Sequence, residues 1–153
     1  MAVNPIPEGA NRITPSLSIK GAADAIAFYK KAFGAEETFS MPGPDGKIMH
    51  AELKINGANV MLADEMPQSP GGKSPTTAGT TTVGLFLYVE QCDDWYNKAI
   101  AAGATSVMAP QDMFWGDRFA SVSDPFGHSW SFATHIKDVT REEMAAGMPA
   151  MAG

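Results

Sequence analysis

The sequence predicts an α+β fold made of two βαβββ modules, and three observations carry that prediction. The order of elements repeats once. Each repeat carries one helical hydrophobic stripe among several period-2 strands. A Pro/Gly/Thr-rich stretch, Met66–Thr82, separates the two copies. Leu17-Ser-Ile19 corresponds to Leu87-Tyr-Val89, and Gly34-Ala35 to Gly103-Ala104, about 70 residues apart in each case. The predicted boundaries are 12–65 for module one, 66–82 for the linker, 83–136 for module two and 137–153 for a C-terminal helix and tail, all within one domain.

Each module opens with a strand, Thr14–Lys20 or Val83–Glu90, whose Leu17 and Ile19, or Leu85, Leu87 and Val89, share a face by alternation. Helices are predicted over 22–33 and 93–102. Ile26, Tyr29 and Phe33 make one apolar stripe, and Trp95, Ala99 and Ala102 the other. Gly34 and Gly103 stand where a left-handed residue ends a helix. The next strands, Glu37–Met41 and Thr105–Ala109, are expected to break at Pro42 and Pro110. Strands Ile48–Ile55 and Arg118–Ser123 follow, then turns at Asn56-Gly57 and Asp124–Gly127, then strands Asn59–Ala63 and His128–Ala133. Thr140-Arg-Glu-Glu143 has the form of a capping box and predicts a last short helix.

Composition narrows the function. The 153 residues carry 11 basic and 17 acidic side chains, a formal charge of −6. No cluster of Lys and Arg is available to displace counterions from a duplex, so nucleic acid is not an expected partner. The longest apolar run, Val83–Val89, is far short of the ~20 residues of a membrane span. The first residues lack the basic and apolar regions of a signal peptide, so the cytoplasm is the expected location. One cysteine, Cys92, leaves no internal disulfide and no multi-cysteine metal site.

Two βαβββ modules ending in DPFGHSWSFATH resemble the vicinal oxygen chelate superfamily, which contains glyoxalase I, extradiol dioxygenases and bleomycin-resistance proteins. The strings Gly21-Ala-Ala-Asp-Ala, Met41-Pro-Gly-Pro-Asp-Gly46, Ile48-Met-His-Ala-Glu-Leu53 and Phe114-Trp-Gly-Asp-Arg118 are similar to a glyoxalase-like subgroup, some members of which are labelled demethylubiquinone methyltransferase-like. The resemblance implies a curved, mostly antiparallel sheet around a cleft, and twofold assembly. In metal-using members a His or Glu projects from the first and last strand of each module. Those positions map here to Thr14, Met61, Gly84 and Ser131, with Ser131 standing where the pattern DPxGNxxE has Glu.

Strand alternation assigns the candidate site. If Leu17, Ile19, Trp130 and Phe132 pack under helices, then Ser16, Ser18, Phe86, Tyr88, Ser129 and Ser131 face the concave side. So do His50, Glu52 and Lys54, joined by Met61, Ala120 and Val122. His50 and Glu52 can share a ligand or a proton, or form a plain hydrogen-bonded pair on a polar sheet face. Trp115 and Arg118 can stack on and pair with a flat anionic ligand; alternatively Trp115 anchors an interface while Asp117 and Arg118 pair on the surface. His128 and His135 are expected to be structural. The ligand-binding candidates are therefore His50, Glu52, Met61, Phe86, Tyr88, Trp115, Arg118 and Ser131, with no catalytic residue assigned and no metal or other cofactor expected. The expected function is metal-independent binding of a small organic molecule by a homodimer. The alternatives are a metal-dependent lyase, isomerase or dioxygenase with atypical ligands, and a protein-interaction scaffold.

Overall fold

Alternating apolar residues fix which way every strand faces. In the computed structural model, which describes residues 2–150, the chain forms two units, Met1–Thr81 and Thr82–Gly153. In the first, β1 (Ser16–Ile19), α1 (Ala22–Phe33), β2 (Glu36–Pro42), β3 (Ile48–Ile55) and β4 (Ala58–Asp64) make a four-stranded sheet of order β1-β4-β3-β2. The β1–β4 pair is parallel and the others antiparallel. The second unit repeats this pattern with β5 (Gly84–Tyr88), α3 (Cys92–Ala102), β6 (Thr105–Asp112), β7 (Asp117–Ser123) and β8 (Ser129–His135), in the order β5-β8-β7-β6. This is the predicted α+β architecture of two βαβββ modules.

Each unit has its own core under its helix. Ile19, Ala51, Leu53, Ile55 and Leu62 are buried in the first, together with Tyr29 and Phe33 of α1, whose rings stack with centroids 5.7 Å apart. In the second, Trp130 and Phe132 are buried and Trp95 of α3 lies 5.9 Å from the Phe132 ring. Burying side chains of this size removes roughly 1.5–3 kcal/mol each of unfavourable hydration, which anchors each helix to its sheet.

Three expectations need correction. Ala120 and Val122 were expected on the concave side, but they sit opposite Phe132 and Trp130 in the β7–β8 ladder and are fully buried on the helix face. That face needs small and branched residues beside two large rings. Pro42 is the last residue of β2, as expected, but Pro110 does not end its strand: β6 runs through it to Asp112. Both are edge strands with a register shift beside the proline, so no ladder hydrogen bond is lost. The stretch 66–82 is also more ordered than a bare linker. It contains α2 (Pro75–Ala78), capped by the Ser74 hydroxyl, and Ser74 is fully buried. The predicted C-terminal helix is α4 (Arg141–Gly147), with its capping box of Thr140 and Glu143 in place.

Candidate functional site

The face of each sheet opposite its helix can be read from the strand register. In the first unit Met41 stands opposite His50, Phe39 opposite Glu52, and Met61 opposite both Glu52 and Ser16. Partners in a ladder share a face, so Phe39, Met41, His50, Glu52 and Met61 form one surface. His50 Nε2 lies 3.1 Å from Glu52 Oε1, and the Phe39 ring lies 6.1 Å from the imidazole. The i, i+2 spacing thus brings His50 and Glu52 into contact, as the alternation requires. The bulge between Glu37 and Phe39 turns Phe39 onto this face.

The second unit carries aromatic rings where the first is polar. Phe86 pairs with Ser131, Tyr88 with Ala133, Ser131 with Ser121 and Ala133 with Phe119, which puts all of them on the open face. Ring centroids run in sequence: Phe86–Tyr88 at 5.1 Å, Phe86–Phe119 at 6.1 Å, Phe119–Trp115 at 6.0 Å and Trp115–Phe114 at 5.1 Å. Phe86 is 52% and Tyr88 60% exposed.

Asp117 organises this surface, and sequence reasoning overlooked it as a site residue. Its carboxylate is buried at the start of β7. Oδ2 accepts the Tyr88 hydroxyl at 3.0 Å and the Trp115 indole N–H at 3.1 Å, while Oδ1 lies 2.9 Å from His135 Nδ1. The bond to Asp117 pushes the Tyr88 phenol above its ordinary pKa, so it remains a neutral hydroxyl. Asp138, with Asp117, raises the His135 pKa; His135 Nε2 lies 2.8 Å from Asp138 Oδ1. A Trp two residues before an acid in a glycine turn was the available sign: with Gly116 at φ 98°, the turn folds the indole back onto the carboxylate.

Arg118 is not brought to this surface. It lies one residue along β7 from Phe119, and its guanidinium is bidentate to Asp93 of α3 at 2.6 and 2.9 Å, with a third bond to Asp112 at 2.9 Å. These two carboxylates raise its pKa further and pin it on the helix side. His128 is buried in the Asp124 turn, its backbone N–H donating to Asp124 Oδ1. Cys92 donates its thiol to the Phe132 carbonyl at 3.4 Å, and burial first, then Asp93, pushes its pKa up to about 11, which leaves it inert as a nucleophile.

The metal-ligand positions implied by the fold do not fit a divalent ion. Thr14 and Ser131 offer neutral hydroxyls, Gly84 has no side chain, and Met61 offers only a thioether. Among the described residues no group of three or more His, Cys, Asp or Glu side chains is placed to hold a metal ion. No helix among them is long and apolar enough to cross a membrane.

A family model described as the glyoxalase/bleomycin resistance protein/dioxygenase superfamily matches residues 10–132. The uncharacterised protein Mb0911c of Mycobacterium bovis is 47% identical over 150 residues, 97% of this chain and 96% of its own length. Protein YjdN of Escherichia coli is 32% identical over 139 residues, covering 77% of this chain and 91% of YjdN. Among solved structures, TioX from Micromonospora sp. ML1 superposes with a TM-score of 0.65 at 28% identity, over 83% of this chain and 100% of TioX.

Proposed function

The chain belongs to the glyoxalase/bleomycin resistance protein/dioxygenase superfamily, and from that premise we propose that it binds a small organic molecule without a metal, on the aromatic face of its second unit. The observation that carries this reading is the aromatic run Tyr88–Phe86–Phe119–Trp115, in which Tyr88 and Phe86 are exposed and Phe119 and Trp115 half-buried. Flat aromatic surface left to water is unfavourable, and a planar ligand recovers that free energy by stacking. Tyr88 and Trp115 both donate to Asp117, so the phenol and the indole are held in place before a ligand arrives. Ser131 and Ser121 supply neutral hydroxyls on the same face. The absence of a Lewis-acid donor set at Thr14, Met61, Gly84 and Ser131 favours binding over the polarised-oxygen chemistry of the metal enzymes.

Tryptophan fluorescence tests this directly. The chain has three tryptophans; Trp130 is buried and donates to Asp124, and Trp95 lies against Phe132 on the helix side. A panel of planar aromatic compounds is expected to contain members that quench Trp115, and Trp115→Ala is expected to weaken their binding by about 1–3 kcal/mol. Quenching that survives Trp115→Phe and vanishes in Trp95→Phe refutes the reading.

A further inference from the structure

The first unit has an open face of different chemistry. Two thioethers, Met41 and Met61, flank a His–Glu pair there, and Met41 remains 47% exposed on a sheet surface. Met41 is the direct cross-strand partner of His50 on one side, with β-carbons about 4.5–5.5 Å apart in such pairs. Met61, on the other flank of β3, partners Glu52 and lies diagonally across from His50, within reach of its long side chain. With the proton on Nε2 and shared with Glu52 at 3.1 Å, the Nδ1 lone pair of His50 is the free donor. No group among the described residues hydrogen-bonds it. A carboxylate holding one imidazole nitrogen while the other coordinates is the usual arrangement behind a metal-bound histidine.

We propose that Met41, His50 and Met61 form a site for a soft monovalent cation, of the Cu(I) and Ag(I) class. Thioethers are neutral and polarisable, so they bind such ions well and bind Zn²⁺, Ni²⁺ or Mg²⁺ poorly. Two sulfurs and one imidazole nitrogen satisfy the low coordination number of a closed-shell monovalent ion. Glu52 supplies the single compensating charge and acts as a positioning residue through His50. The Phe39 ring of β2 lies beside the imidazole, its centroid 6.1 Å away. The donor set shares only Met61 with the positions used for divalent ions in the fold. It is also independent of the ligand reading above, which rests on the second unit.

The test is anaerobic titration of the whole chain with Ag⁺, and with Cu⁺ in competition with a chromophoric Cu(I) chelator. One tight equivalent is expected, together with a shift of the His50 Nδ1 resonance in ¹⁵N spectra. Met41→Leu and Met61→Leu conserve volume, so the fold should persist while affinity falls by about tenfold or more; Glu52→Gln should cost about 10–100-fold and move the His50 resonances without removing the sulfur ligands. Met66→Leu and Cys92→Ala are expected to leave the tight equivalent intact, because Met66 lies outside the cluster and Cys92 is buried in the other unit. Absence of a tight equivalent overturns the proposal. So does a tight equivalent lost in Cys92→Ala, or one that is indifferent to both Met→Leu changes.

Discussion

The indole of Trp130 donates to Asp124 Oδ2 at 2.9 Å, which ties the turn after β7 to the largest side chain in the core of the second unit. The other oxygen, Oδ1, accepts the backbone N–H groups of Phe126 and His128, both at 2.9 Å. One buried carboxylate therefore satisfies three donors, and its bonds to the His128 N–H and the Trp130 indole are themselves buried. Asp124→Ala should destabilise the fold by about 2–4 kcal/mol, since it orphans buried donors as well as removing charge-assisted bonds. Chemical denaturation should show a lower midpoint with an unchanged slope; a midpoint within error of the parent would refute this role.

Much of this was legible in the chain. The DPFGH segment reads as a turn because Asp at its first position and Gly127 at its fourth suit one, and Gly127 indeed has a φ of 87°. Alternation placed His50 and Glu52 on one face and Ala51, Leu53 and Ile55 on the other, and the burial pattern follows it. What could not be read were contacts between residues far apart in sequence. Nothing local to Asp117 announces Tyr88, 29 residues away, as its partner. Nor does anything local show that Asp93 would claim Arg118. Ala120 and Val122 were misassigned for a related reason: an Ala-Ser-Val strand has little contrast between its two faces, so only pairing with Phe132 and Trp130 reveals the inner one.

Glu65 predicts an acid-sensitive segment. Ser74, through its hydroxyl and its backbone N–H, and then the Thr77 hydroxyl hold the Glu65 carboxyl at about 2 against an ordinary value of 4.5. A depressed carboxyl contributes stability that is complete above about pH 4.5 and is lost as pH falls toward 2. Amide exchange between pH 5 and 2 should therefore show Ser74 and its α2 neighbours losing protection ahead of the β3–β4 ladder. In Glu65→Gln that protection should be weaker throughout and should no longer depend on pH. Acid dependence that persists unchanged in Glu65→Gln would assign the effect elsewhere.

Arg118 is predicted to matter for stability and not for ligand capture. Its fork joins α3 to β7 through Asp93 and β6 to β7 through Asp112. A planar bidentate pair of this kind is not replaced by a lysine. Both Arg118→Lys and Arg118→Ala should lower the melting temperature, whereas quenching of Trp115 by a planar ligand should keep its parent affinity. Loss of binding in a variant that melts like the parent would place the guanidinium at the ligand after all.

The edges of the two sheets predict assembly. The strand orders leave β1 and β2 at the edges of the first sheet and β5 and β6 at those of the second. Edge strands invite pairing unless charge, proline or a bulge blunts them. β2 carries Glu36, Glu37, Pro42 and register shifts, and β6 carries Pro110, Asp112 and register shifts. β1, Ser-Leu-Ser-Ile, and β5, Gly-Leu-Phe-Leu-Tyr, have none of these guards. We propose that a second copy of the chain covers them, giving a homodimer. Light scattering at micromolar concentration should return about twice the 16.2 kDa of one chain, with a tendency to dissociate on dilution that is modest if the contact is largely apolar. Salt should change the mass little, because neither β1 nor β5 carries a charged side chain to be screened. A mass of one chain at every concentration would refute the dimer.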